Sequence, residues 1–307
     1  MQVILGANGQ IADELAKELK RNYTSAIRLV SRNPIRVNET DDIFPGNLLD
    51  EAETANAVKG TEIAYLTVGL PLNSAQWAAQ FPVIMKNVIN ACKKHGTRLV
   101  YFDNTYMYPQ TGVRLTEETA FQPFGSKGRV RAQIASMLLD EMRRGKIEAV
   151  ICRAPEFYGP GKTQSITRSF VFENIKRNKT IRVPVSDKTL RTLIWTPDAG
   201  RATAMIGNTF DCYQQTWHLP CDDNRLTYQQ IIEYAATVRG SRLPYSVMNR
   251  FIFKIGALFS NQLKELQELL PRYGYDNIFD SAKFKDRFPK FPVTTYQEGI
   301  AELIRGF

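Results

Sequence analysis

Over the first half of the chain, short apolar runs alternate with longer stretches in which apolar residues recur every three or four positions. The runs Gln2–Leu5, Ile27–Ser31, Ile63–Val68, Leu99–Phe102 and Ala149–Arg153 predict strands. Between the first two, Ile11, Leu15 and Leu19 repeat every four residues, with Ala12 and Ala16 on the same face. That spacing predicts an amphipathic helix. A second helix is expected from about Trp77 to Lys94, where Ile84, Val88 and Ala91 keep helical spacing and Gly96 supplies the stop. Strands separated by helices of this length read as βαβ units of a parallel sheet.

After Gly159-Pro160-Gly161 the texture changes. A helix is expected around Arg168–Arg177, an extended piece at Thr180–Pro184, and a further helix opened by Thr192–Asp198, with Pro197 in its first turn. From Leu219 onward come a helix at Tyr228–Val238, a basic and aromatic stretch to Phe259, and a tail ending in Ile300–Ile304. The expected architecture is α/β, a Rossmann-type doubly wound parallel sheet with a smaller C-terminal substrate lobe. Residues 1–160, completed by about 186–218, form the dinucleotide-binding domain; residues 161–185 and 219–307 form the lobe, packed at the carboxyl edge of the sheet.

A length of 307 residues suits one large α/β domain with an attachment, and the 43% hydrophobic and 23% charged composition is ordinary for a globular chain. No apolar run approaches the roughly 20 residues that span a bilayer. The start, Met1-Gln2-Val3-Ile4-Leu5-Gly6, lacks a basic lead and cleavage site. A cytoplasmic protein with no membrane partner is therefore expected. Cys92, Cys152, Cys212 and Cys221 have no C-x-x-C spacing, and His95 and His218 are the two histidines, so metal and disulfide frameworks are not expected. The net charge of +9 raises a nucleic-acid reading, but the basic residues are spread along the chain. No nucleic-acid partner is expected. The densest cluster, Lys127-Gly-Arg129-Val-Arg131, is either a solvated helix face or part of an anion site.

The segment Gly6-Ala-Asn8-Gly9-Gln10-Ile11-Ala12 follows a strand and opens a helix. Gly6 allows the tight turn, Gly9 lets the backbone approach a pyrophosphate, and Ala12 keeps the helix near the strand. The pyrophosphate would lie over the helix N-terminus, where free N–H groups and the macrodipole favour anions. An NAD-specific site places an acid at the end of the second strand. Here the strand ends Ser31-Arg32-Asn33, and an arginine is what a 2′-phosphate needs. NADP(H) is the expected cofactor, with NAD(H) left open; the alternative for Arg32 is a plain surface charge.

With Gly46-Asn47-Leu48-Leu49-Asp50, Val100–Tyr108, Arg153–Pro160 and Ile194–Ala202 added to the glycine turn, the chain resembles the extended short-chain dehydrogenase/reductase family, which includes nucleotide-sugar epimerases and dehydratases. The resemblance implies that Asn47 and Leu48 lie near the adenine, although the family usually has Asp at position 47. It puts Val68 and Gly69 beneath the dinucleotide, and Pro155, Glu156 and Phe157 at the nicotinamide end. The family's Tyr-x-x-x-Lys pair falls on Phe124 and Gly128, and its Ser/Thr position on Asn104, beside Thr105. Phe124 exchanges no proton. Either the acid–base role has moved, with Tyr106 and Tyr108 as first substitutes, or the protein binds NADP(H) without turning it over. Lys127 would then tune a phenol or hold the ribose, and Tyr158 and Asp103 are further proton carriers. The plainer reading of each tyrosine is a packed aromatic.

Two functions follow: an enzyme of reductase, epimerase or dehydratase type on a small polar substrate, with a nucleotide-linked one left open, or a non-catalytic redox sensor similar to NmrA-like proteins. Arg129, Arg131, Arg168 and Arg191 are candidate anion clamps or surface charges. The resemblance also leaves a homodimer open, through helices around Ser74–Lys94 and Phe124–Arg144, where Ile134, Met137 and Leu138 fit a contact or simply face the sheet.

Overall fold

Val3, Ile4 and Leu5 are closed to solvent, as are Val30, Leu99, Val100 and the run Ala149–Cys152. Strands apolar on both sides need a helical layer on each face, which parallel crossovers provide. The computed structural model describes residues 1–161 and 164–307 and has that arrangement. Its first half comprises β1 (Gln2–Leu5), α1 (Gln10–Asn22), β2 (Ile27–Ser31), β3 (Asp42–Pro45), α2 (Glu51–Val58), β4 (Ile63–Leu66), α3 (Ser74–His95), β5 (Arg98–Asp103), α4 (Gly125–Arg143) and β6 (Ala149–Arg153). Next come β7 (Glu156–Tyr158), a π-helical turn (Arg168–Phe172) running into α5 (Glu173–Lys176), β8 (Ile181–Pro184), β9 (Leu190–Arg191), β10 (Leu193–Trp195), α6 (Thr196–Gly207) and β11 (Thr216–His218). The last third holds β12 (Leu226–Thr227), α7 (Tyr228–Arg239), β13 (Tyr245–Met248), α8 (Arg250–Phe259), α9 (Asn261–Leu266), a 3₁₀ segment (Gln267–Gly274), α10 (Ala282–Arg287) and α11 (Tyr296–Arg305).

Seven parallel strands lie in the order β11-β6-β5-β4-β1-β2-β3. The order reverses between β1 and β4, the place where open α/β sheets leave a crevice at their carboxyl edge. Alternate side chains divide between two cores. Ile4, Leu29 and Val100 pack with α1 and α6 on one face. Val3, Leu5 and Leu99 pack with α2, α3 and α4 on the other. The α1–α6 contact is close because Gly200 has no side chain: a Cβ there would sit 2.8 Å from the Glu14 carbonyl carbon. Gly96 ends α3 in the left-handed conformation at φ 65°. Ile134 and Leu138 are buried against the sheet, so the stripe considered for a dimer contact belongs to the core.

A third core, including Phe172, Ile181, Trp195, Tyr228, Ile232 and Ile300, lies beyond the carboxyl edge. All four cysteines are free and buried. Among the described residues, no cluster of histidine, cysteine or carboxylate side chains has metal-site spacing, and no helix is long and apolar enough to cross a membrane.

A buried polar relay ties the sheet to the C-terminal segment. Arg153 Nη1 donates to Tyr108 Oη at 2.8 Å, and Tyr108 Oη lies 2.8 Å from His218 Nε2. His218 Nδ1 is 2.7 Å from the Asp280 carbonyl oxygen. A carbonyl only accepts, so Nδ1 carries a proton; in the neutral ring Nε2 then accepts from Tyr108. Burial pushes its pKa from an ordinary 6.5 down to about 3, against the pull of the Asp280 carbonyl. The unfolded chain therefore takes up a proton below about pH 6.5 that the folded chain refuses until about pH 3. This contribution to stability is complete above that window and is lost as pH falls through it, at about 1.4 kcal/mol per pH unit. Urea midpoints measured between pH 7 and pH 4 should fall more steeply for the wild type than for His218→Gln; parallel slopes would refute the buried neutral imidazole.

Candidate active site

Gly6 adopts φ 112°, and a Cβ on it would lie 2.7 Å from Val68 N. Only glycine fits between the ends of β1 and β4. Asn8 follows with φ 72°; its Nδ2 donates to Asn33 O at 2.7 Å, and its Oδ1 accepts from Ile35 N at 2.9 Å. The glycine turn is thereby pinned to the loop that follows β2. Gly9 begins α1 without a side-chain cap, which leaves the first-turn N–H groups to an anion. Gln10 donates to Thr196 Oγ1 at 2.9 Å and to the Pro160 carbonyl, and Ile11 is buried beneath the turn. Gln10 Oε1 and Ser31 Oγ are buried without a protein partner. Arg32 is exposed just past β2. Asn47 is exposed after β3, its Oδ1 accepting from Leu49 N at 3.1 Å, while Leu48 is buried.

A cleft of about 480 Å³ opens at the carboxyl ends of β4, β5 and β6. Its walls come from Gly69 and Leu70, from Asn104, Thr105 and Tyr106, and from Pro155, Glu156 and Phe157. The roof comes from the far end of the chain: Gln262, Leu266, Leu269, Arg272 and Tyr273. A wider groove of about 990 Å³ beside Pro160 contains Arg168, Lys176 and Phe307, but none of the loop residues after β4 or β5.

The two candidate tyrosines separate. Tyr106 lines the cleft, stacked on Trp77 (centroids 6.0 Å apart, planes at 10°) with the Arg272 guanidinium 4.6 Å from its ring centre. Burial raises its pKa, and Arg272 only partly offsets the rise, so it is a phenol at neutral pH. Tyr108, two residues on, is 1% exposed and committed to Arg153 and His218. Asn104 Oδ1 accepts from Tyr106 N at 2.9 Å, which shapes the turn. Asp103 is enclosed by Tyr101 Oη (2.9 Å), Arg153 (3.4 Å) and Arg131 (3.6 Å), and Tyr158 lies in the lobe core. Of the candidate clamps, Arg131 reaches the cleft, Arg129 is exposed, and Arg191 is buried with Nη1 donating to Arg272 O at 2.9 Å. Phe124 is 53% exposed at the start of α4. At Gly128 a Cβ would stand 2.8 Å from the Tyr106 carbonyl oxygen, so that position takes no side chain.

Lys127 is fully buried. Its ammonium donates to Ser74 Oγ at 2.7 Å, Glu268 Oε1 at 2.7 Å, Glu265 O at 3.0 Å, and the Glu265 carboxylate. These two acids also close helix ends. Glu265 Oε2 accepts from Ser74 N at 2.9 Å at the start of α3, and Glu268 accepts from Ser126 N at 2.5 Å and Lys127 N at 3.2 Å at the start of α4. Desolvation is the largest influence on Glu265 and acts upward, but Lys127 and Ser74 together bring its carboxyl below the usual value. Sequence reasoning missed this roof. Its contacts cross 138 and 141 residues, and the only local trace is the Glu265/Glu268 spacing of one helical turn.

The model of the NAD dependent epimerase/dehydratase family matches residues 2–215. An uncharacterized protein of Sinorhizobium fredii is 31% identical over 147 residues, a match spanning 45% of this chain and 41% of that relative's length. Among solved structures, UDP-glucuronic acid 4-epimerase from Bacillus cereus, in complex with UDP-glucuronic acid and NAD, is 13% identical with a TM-score of 0.81 over 100% of this chain and 99% of that one. UDP-glucose 4-epimerase from Thermus thermophilus, in complex with NAD, is 15% identical with a TM-score of 0.76 over 100% and 99% of the two chains. At these identities the likeness is one of fold.

Replacing Lys127 by Met removes the cation and leaves two acids facing each other. A loss of about 3 kcal/mol in unfolding free energy is expected, together with faster amide exchange across Asn261–Gly274. Unchanged exchange in that segment would mean that Lys127 does not hold the roof.

Proposed function

The chain belongs to the NAD dependent epimerase/dehydratase family, and on that premise we propose that it is a dinucleotide-dependent enzyme of epimerase, dehydratase or reductase type acting on a nucleotide-linked sugar. One observation carries the reading: the glycine turn and the cleft meet at the reversal of strand order. Gly6 presses on Val68, and the next residue, Gly69, is part of the cleft wall.

The residues present fit the cofactor. Gly9 opens α1 with no side-chain cap, and Ser31 Oγ and Gln10 Oε1 are buried polar atoms still wanting a partner. In this reading Gly6, Asn8, Gly9, Gln10 and Ile11 receive the pyrophosphate, Ser31 and Arg32 the adenosine ribose, and Asn47 and Leu48 the adenine. Val68 and Gly69 lie beneath the dinucleotide, and Pro155 and Phe157 border the nicotinamide. Arg32 in place of an acid supports NADP(H), with NAD(H), named for the solved relatives, as the alternative. When bound, the nicotinamide supplies reversible hydride transfer.

The protein's own part differs from the family's Tyr-x-x-x-Lys arrangement, because Phe124 and Gly128 stand at those positions. Tyr106 lines the cleft as a phenol, beside the Thr105 hydroxyl, and in this reading holds a proton for a substrate oxygen; Asn104 sets its turn. Arg131 and Arg272 each keep a buried Nε without a partner at the cleft and suit a polar or anionic substrate group. The volume of about 480 Å³ is within the usual range of small-ligand sites.

A second reading, a non-catalytic NADP(H)-binding regulator of NmrA-like type, draws on one fact: the Lys127 ammonium is already engaged by two carboxylates.

Calorimetric titration with NADP⁺, NADPH, NAD⁺ and NADH should show NADP(H) binding that weakens about tenfold, or about 1.4 kcal/mol, in Arg32→Ala, with little change for NAD(H). Failure of all four to bind would overturn both readings. With UDP-glucose and UDP-glucuronic acid as probes, Tyr106→Phe should lower turnover about a hundredfold with dinucleotide affinity kept; unchanged turnover would remove Tyr106 from the chemistry. A wild type that turns over neither probe, yet binds oxidised and reduced cofactor with unequal affinity, would favour the regulator.

A further inference from the structure

Helix α8 turns its apolar side to water. At about 100° per residue, Phe251, Ile252, Ile255, Leu258 and Phe259 share the face opposite Phe253. They are 44% to 85% exposed, whereas Phe253 is fully buried. Phe253 rests on Phe170, a residue of the cleft wall, with ring centres 5.9 Å apart. The large apolar side chains exposed elsewhere are scattered, apart from Tyr245 and Val247 of the preceding strand. A helix this apolar on both faces is ordinarily covered.

The charge that flanks it along the sequence points to the cover. From Arg239 to Lys264 the chain carries Arg239, Arg242, Arg250, Lys254 and Lys264, and no Asp or Glu. Among the described residues, none of these five is in an ion pair. A second copy of this chain would set that basic belt against itself. An anionic surface with an apolar interior satisfies both the belt and the stripe.

We propose that α8 is an in-plane membrane anchor. Phe251, Ile255, Leu258 and Phe259 enter the acyl boundary of a bilayer, and the flanking arginines and lysines meet anionic headgroups. The expectation of no membrane partner rested on the lack of a spanning segment, which a helix lying in the surface does not need. The Phe253–Phe170 contact places this anchor directly behind one wall of the cleft.

Co-sedimentation of the full chain with vesicles tests the proposal. The wild type should pellet with phosphatidylcholine vesicles that contain phosphatidylglycerol, and far less with phosphatidylcholine alone or at high salt. Leu258→Asp and Phe259→Asp lie on the outward face. Each should cut the bound fraction about tenfold with melting temperature and dinucleotide binding unchanged, and the double variant Arg250→Glu/Lys254→Glu should do so on the anionic vesicles. Wild-type protein left in the supernatant with both vesicle types overturns the proposal. So does a wild-type dimer in solution that Leu258→Asp renders monomeric with no vesicle binding, a result that would assign the face to a second copy.

Discussion

A buried ammonium must be matched by charge, and in this protein that requirement organises the carboxyl edge of the sheet. Lys127 has no exposed surface, so its cation depends on Glu265 and Glu268. Because the two acids are one helical turn apart, their remaining lone pairs reach two different helix starts, those of α3 and α4. At α3 Asn73 caps Gln76 N and Glu265 takes the Ser74 N–H that remains; at α4 Phe124 offers no capping side chain, and Gly125 lies so close that a Cβ would collide with Glu268. One cation thus closes two helices and brings Leu266, Leu269 and Arg272 over the cleft.

The same linkage shapes the chemistry beneath. Arg272 arrives with the roof and lies over the Tyr106 ring, on which Trp77 of α3 also stacks. The Lys127 ammonium is held by Glu265 and Glu268 rather than by a phenolate. A proton-holding phenol, rather than a base, is what this environment produces. On the core side of the same loop, Asp103 lies between Arg131 and Arg153, and Arg153 continues through Tyr108 to His218. Thr105–Tyr108 turns tightly, with Tyr108 N donating to Thr105 O at 3.2 Å. Two tyrosines two residues apart therefore end in different surroundings, one lining the cleft and one satisfying the interior.

The glycine turn and the roof of the cleft are contributed by different parts of the chain. The loops after β4, β5 and β6 wall the cleft and residues between Gln262 and Tyr273 roof it, while α8, which precedes the roof in the chain, carries the uncovered apolar face. The basic balance that first raised a nucleic-acid reading is partly concentrated there, where no acid interrupts it between Arg239 and Lys264.

Local features were legible in the sequence because their causes are local. The strands Gln2–Leu5, Ile27–Ser31 and Ala149–Arg153, the glycine turn and the Gly96 stop follow from side-chain period and from backbone conformations that glycine permits. The sequence alone thereby determined a parallel, doubly wound sheet with an anion-ready turn at its first strand. It could not say which of Tyr106 and Tyr108 faces the cleft, since both follow the same strand and differ only in which distant residues surround them. Nor could it pair Lys127 with acids 138 and 141 residues away. Those outcomes were decided by the tertiary structure, because a buried charge or hydroxyl takes whatever partner the packing brings within reach, and periodicity carries no record of that partner.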